Sequence, residues 1–274
     1  VSADLADAHD TAAGPEVSQT LSDPLLSRYL RFGRFTTKDG LSSDQTRNVV
    51  QDRHGFMWFA TLGGLSRYDG ASVKVYRHDP DDANSLSHNV ARALIVDQRG
   101  VLWIGTWGGG LNRYDREKDA FIRYRHESDN PHSLSHDIIR AVYEDRSGTI
   151  WVGTMRGLNK LNRDSGQFTR YQHDPGDTNS LSNNIIWSIS QDSRGALWVG
   201  TRTGLNRFDP QTETFTHYQH DPEEPNSLSS PSVSVVYEDR MGTVWVGTYS
   251  GLNKLDPETG RITHYRYDGT NPLS

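Results

Sequence analysis

Three arginines, Arg47, Arg92 and Arg140, occupy one column of a unit that the 274-residue chain repeats five times; the last two copies place Trp187 and Ser234 there. A second column, just after a Gly-Thr or Ala-Thr pair, holds Leu62, Trp107, Met155, Arg202 and Tyr249. A third holds Gly63, Gly108, Arg156, Thr203 and Ser250. Guanidinium groups grip carboxylates and phosphates in bidentate fashion, and aromatic faces stack on cations and planar groups. Arg beside Trp therefore suits a planar, anionic or carbohydrate-like ligand. Of seven tryptophans, five recur at one frame position, and the other two, Trp107 and Trp187, both fall in these variable columns. The candidate ligand contacts are thus Trp107, Arg47, Arg92, Arg140, Trp187, Arg156, Arg202 and Tyr249. Two plainer readings stand beside this one. The arginines would pair with acids of neighbouring units, or the loops would simply have drifted on a repeat scaffold.

The copy that carries Trp107 is also the odd one. GTWGGGLN, residues 105–112, sets three residues between Thr and Gly-Leu, where GTMRGLN, GTRTGLN and GTYSGLN set two. A longer loop projects its side chain further over a mouth, and three glycines leave the ring free to tilt. The alternative is that Trp107 folds down onto the neighbouring unit.

Catalytic chemistry has less support. His88 and His136 follow Leu-Ser in adjacent units and form the one pair suited to general-base or metal-assisted work, but the next two units put Asn183 and Ser230 there. The repeated D-x-x-G words lack the spaced oxygens of an EF-hand and read as hairpin turns. His-Asp-Pro loops offer a divalent cation some oxygens, yet their Pro and Asn-Ser residues are turn formers. There is no cysteine, hence no thiolate nucleophile or ligand. No catalytic residue, metal or cofactor is assigned.

What must position these columns is the repeat itself. Leu-Ser dipeptides open units at Leu41, Leu86, Leu134, Leu181 and Leu228, spaced 45, 48, 47 and 47 residues apart. In the third unit, residues 138–144, 149–154, 158–161 and 167–172 predict four short strands, joined by turns at 145–148, 155–157 and 162–166. Four antiparallel strands in such a unit predict an all-β fold, the β-propeller, and no segment carries a useful helical period. Trp58, Trp103, Trp151, Trp198 and Trp245 would fill the space between blades, and the glycines of W-x-G-T would let adjacent sheets approach, with Ala60 departing at little cost. The expected boundaries are a flexible leader at 1–28, a leading outer strand at 29–40, blades at 41–85, 86–133, 134–180, 181–227 and 228–270, and the start of a further unit at 271–274. YLRFGRFT at 29–36 resembles the fourth strands, but the fifth unit has its own, RITHYRY. The leading strand then has no vacant place, so five blades of a larger propeller are expected rather than a closed ring of five. Lead-in segments of first strands and loops between second and third strands share one face, where the variable columns would form a mouth.

The words DRHGFMWFATLGGLSRYDG, DQRGVLWIGTWGGGLNRYD and DRSGTIWVGTMRGLNKLN resemble two-component regulator propeller repeats, over about residues 30–274. The stretch RFTTKDGLSSDQTRNVVQDRHGFMW resembles the usual opening of such sensors. The resemblance implies a periplasmic or otherwise extracytoplasmic sensor region, about seven blades in full. It also implies a following β-sandwich, a membrane helix and a cytoplasmic histidine kinase or diguanylate cyclase. Output activity would belong to those parts, and this region would be no enzyme. The expected partner is a small-molecule or saccharide ligand, with a homodimer also open and membrane contact only through downstream segments. Composition agrees: a net charge of −6 with interleaved signs lacks the basic stripe that nucleic acid needs, and no apolar run nears the roughly 20 residues of a membrane span. A free-standing propeller lyase and a protein-interaction scaffold are the alternatives; polar rim segments such as YRHDPDD and YQHDPEE speak against the scaffold.

Overall fold

The computed structural model describes residues 33–266, where twenty strands form five four-stranded antiparallel sheets, each with its strands in chain order. The third blade comprises Ile139–Glu144, Ile150–Thr154, Gly157–Leu161 and Phe168–Tyr171, close to the segments expected from sequence. Asp145 builds its first hairpin. One carboxylate oxygen accepts from the amides of Ser147 and Thr149, and Gly148 takes the left-handed φ of 85° that the turn requires. The other oxygen accepts the indole N–H of Trp151 at 2.7 Å. Asp52, Asp97, Asp192 and Asp239 hold Trp58, Trp103, Trp198 and Trp245 in the same way. The D-x-x-G word is therefore more than a turn: its Asp also satisfies an indole donor that burial would otherwise strand.

The apolar core lies between blades. Four buried clusters each join the forward face of one blade to the back of the next, for example Trp151 and Leu158 against Leu197, Val199 and Phe208. First strands of adjacent blades (Thr46–Gln51, Ala91–Val96, Ile139–Glu144, Ile186–Gln191 and Val233–Glu238) pack on one another and so line the inside of the arc. The W-x-G-T glycines sit where the sheets come closest. A Cβ on Gly105 would lie 2.5 Å from Ile139, and one on Gly153 2.6 Å from Ile186. Blade 1 solves the same contact with smaller partners on both sides, Ala60 and Ala91, each fully buried in one cluster. That compensation is why Ala60 is tolerated.

Blade 5 differs from the others. Its forward face keeps the apolar types of the other blades, but Val235 and Tyr237 are 55% and 61% exposed and Trp245 is only half-buried. At the outer strands a polar clasp links blades 1 and 2. The Lys74 ammonium and the hydroxyls of Tyr76 and Tyr114 all donate to Asp119, which holds a left-handed φ of 52°. Tyr171 donates to Glu213, at φ 54°, between blades 3 and 4, whereas Gly166 and Gly260 take that backbone position at the other two interfaces.

The expected leading strand at 29–40 is corrected over its described part. Thr37–Asp39 is a single 3-10 turn, because Thr36 accepts from the Lys38 amide while Asp39 accepts from that of Thr36. Phe35 instead sets its ring 4.9 Å from Tyr68 and 5.5 Å from Phe59, on the back of blade 1. The leader at 1–28, residues 29–32 and the segment 271–274 lie outside the described residues.

Candidate ligand-binding mouth

One irregularity recurs in all five first strands. Thr154 pairs with Ile139 while Gly153 pairs with Ala141, leaving Arg140 as an extra residue opposite the step. The same bulge isolates Arg47, Arg92, Trp187 and Ser234 in the other blades. A bulge re-aims one side chain while sparing the rest of the ladder. The first variable column is thus the bulge residue of the innermost strand, five times over.

Behind each bulge a buried polar cluster fixes the lead-in segment to the loop between second and third strands. In blade 3 the Ser135 amide donates to Asn159 Oδ1, Asn159 Nδ2 donates to Ser135 Oγ, and Ser135 Oγ meets Thr154 Oγ1 at 2.8 Å. The Leu-Ser, Gly-Thr and Leu-Asn words of the sequence are its three components, and blade 1 replaces the Asn with Ser66. The sequence reading missed this cluster; the joint recurrence of the three words is the signal that would have found it.

Three bulge residues and the loop residue Trp107, four of the eight candidates, come together. The Arg92 guanidinium lies 4.6 Å from the centre of the Trp107 ring, and that of Arg140 lies 4.7 Å from it. Arg140 also sits 3.8 Å over Trp187 and points Nε at the Met155 sulfur. Arg92, Trp107, Arg140 and Trp187 therefore alternate as a cation–π ladder across blades 2, 3 and 4. The indole N–H of Trp187 is buried without an acceptor among the described residues. Arg47, Arg156, Arg202 and Tyr249 are exposed and stand outside the ladder; Tyr249 is 77% exposed. For Arg47, Arg156 and Arg202 no carboxylate lies in ion-pairing reach among the described residues.

The lengthened loop is held firmly, which corrects two sequence expectations. Trp107 keeps the second column, since its amide donates to Val90 as that of Met155 does to Ile138. Gly109 rather than Gly108 fills the third column, because its amide donates to Thr106 Oγ1 as that of Arg156 does to Thr154 Oγ1. Gly108 is the inserted residue. Its amide and that of Gly110 both donate to the Asp137 carbonyl, and Trp107 forms a bridge with Ile138. The glycines serve close approach more than freedom to tilt. A Cβ on Gly109 would fall 2.4 Å from Ser87 Oγ, and one on Gly110 2.1 Å from the Tyr124 carbonyl.

His88 and His136 have structural duties. Their Nδ1 atoms accept from the Val90 and Ile138 amides, and in the next blade Asn183 Oδ1 accepts from Ile185 in the same place. Burial first, then nearby cations including Arg125 and Arg156, push both imidazoles below their ordinary pKa, favouring the neutral ring that this acceptor role requires. The histidines that close the fourth strands, three in His-Asp-Pro and His126 in His-Glu-Ser, bond with equal regularity: His78, His126, His173 and His220 each use Nδ1 toward the carbonyl of the next Leu-Ser leucine. A cavity of about 550 Å³ lies elsewhere, at the outer strands of blades 1 and 2 beside Lys74 and Asp119.

The family model for the two-component regulator propeller matches residues 85–108, 133–156, 180–203 and 227–250, each spanning one lead-in segment, bulge and following loop. A solved extracellular domain from B. thetaiotaomicron, that of a protein described as the hybrid two component system BT3049, superposes with a TM-score of 0.75 at 27% identity, over 84% of this chain and 31% of that one. Histidine kinase P4 of Formosa agariphila is 41% identical over 56 residues, 20% of this chain and 4% of the kinase. Virginiamycin B lyase of Staphylococcus aureus shares the fold, with a TM-score of 0.61 at 15% identity over 83% of this chain. The chain thus spans about a third of the solved two-component relative's length and a small part of the kinase. Among the described residues no helix is long and apolar enough to cross a membrane.

Proposed function

Because this chain is built of two-component regulator propeller repeats, we propose that it is an extracytoplasmic ligand-sensing module of a bacterial signal-transduction receptor, and that the bulge mouth is where it takes its ligand. One observation carries this reading: five bulges turn side chains of three types, Arg, Trp and Ser, out of an otherwise constant frame, and three of them, with Trp107, stack into one ladder. The ladder presents aromatic faces beside guanidinium groups, which fits an anionic or carbohydrate-like ligand. We read the region as non-catalytic, since the histidine pair suited to acid–base work is occupied with backbone amides. Kinase or cyclase output is assigned to other domains of the receptor.

The test is a thermal-shift screen of uronic acids, sulfated sugars and neutral sugars, followed by titration of each hit against Trp107→Ala and Arg140→Ala. Stacking on one aromatic ring contributes about 1–3 kcal/mol, so Trp107→Ala should weaken binding roughly ten- to a hundredfold. A hit whose affinity ignores both substitutions removes the mouth from the reading.

A further inference from the structure

The mouth shares its face with a ring of acids. Blades 1 to 4 leave their fourth strands through loops at 79–84, 127–132, 174–179 and 221–226, at the end of the sheets that also holds the loops between second and third strands. Contacts tie these ends together: Arg77 Nε donates to the Gly63 carbonyl and Gln172 Nε2 to that of Arg156. The four loops carry three, two, two and three carboxylates, ten in all, and every one is exposed. None lies within ion-pairing distance of a cation among the described residues. Inside them, Arg47, Arg156 and Arg202 are likewise exposed and without a carboxylate partner there. An acidic rim thus surrounds a basic centre on a chain of net charge −6.

We propose that this arrangement makes the mouth a filter in which polyanionic chains gain no advantage over short oxyanions. The inference rests on the mouth being the ligand site. Four strands set about 4.8 Å apart put the rim roughly 14 Å outside the innermost strand. At physiological ionic strength charges are screened over about 8 Å, so a small anion at the centre feels chiefly the arginines. A polyanion with one end at the centre must run across the rim, within a few ångströms of unpaired carboxylates. Its extra charges, which ordinarily add affinity for a basic site by counterion release, then work against binding.

Inorganic phosphate, tripolyphosphate and long-chain polyphosphate serve as probes, followed by tryptophan fluorescence at physiological ionic strength. The rim variant is Asp81→Asn, Asp129→Asn, Glu223→Gln and Glu224→Gln; no side-chain hydrogen bond of these four holds the fold among the described residues. In the native chain, polyphosphate should bind within about threefold of tripolyphosphate, and the rim variant should gain at least about tenfold for the polymer but little for the short anion. Polymer binding about tenfold tighter than tripolyphosphate in the native chain, or no gain in the rim variant, overturns the filter alone. If no anion of any length binds, the filter falls; the mouth reading falls with it only if sugar hits also ignore Trp107→Ala and Arg140→Ala.

Discussion

At one end of every blade an Asp-x-x-Gly turn clasps a tryptophan, five times with the same atoms; at the other end a bulge turns out Arg, Arg, Arg, Trp and Ser. Both ends belong to the same hydrogen-bonded sheets. They differ in what the side chain must satisfy. The turn Asp completes the bonding of a buried neighbour, so its identity is fixed by the inside of the molecule. The bulge residue leaves the sheet without breaking it, so the frame is indifferent to its type. Constancy and variation therefore map onto inward and outward duties within one blade.

The comparison breaks most readily at the clasp. Trp151 is fully buried, and Trp151→Ala should cost about 3–5 kcal/mol in denaturant unfolding. A loss under about 1 kcal/mol would mean that the clasp is not what joins blades 3 and 4. Asp145→Asn should cost less, about 2 kcal/mol, because the amide turns a donor toward either the indole N–H or the two turn amides. Near-infrared or ultraviolet Raman bands of the indole N–H would report the broken bond directly.

At the mouth the same residue type should behave oppositely. Trp107→Ala removes two cation–π contacts on a half-buried ring, about 0.5–1 kcal/mol each, so stability should fall by no more than about 2 kcal/mol. A loss as large as that of Trp151→Ala would place Trp107 with the frame and erase the contrast.

The smallest effect concerns the outer clasp. Burial opposes the charge on Asp119, but hydrogen bonds from Lys74, Tyr114 and Tyr76 outweigh it and hold the carboxyl at about 2, below its ordinary 3.8. A depressed folded pKa gives stability that is present above the unfolded value and is lost as pH falls from about 4 toward 2. Asp119→Asn should therefore flatten the acid limb of the stability curve slightly and leave the neutral region less stable. A variant with an unchanged acid slope would show that the clasp carries no charge-dependent stability.

Much of the frame was legible because it repeats. Period, strand positions, turn glycines and the burial of four tryptophans all follow from residue types seen five times. The bulge was not legible, since it is a property of pairing: nothing in IIRAVYE says that the strand register steps over Arg140. The Asp–Trp bond joins residues six apart whose sequence context reads equally well as a plain turn. Placing the inserted glycine failed for a related reason. Counting from Thr106 gives Gly108 the third column, whereas the hydrogen bond to Thr106 Oγ1 gives it to Gly109. The eight candidate contacts were chosen by column. Only the three-dimensional order of the columns separates the four in the ladder from the four outside it.

The fitted residue pairs at the blade boundaries bear on how such a chain can be rebuilt. Gly105 fits Ile139, Gly153 fits Ile186, and the smaller Ala91 faces Ala60. A blade grafted whole carries half of one fitted pair at its back and half of another at its front, so both new seams would be mismatched. The natural piece to transplant runs from the second strand of one blade through the first strand of the next, with each lock moved together with its own key.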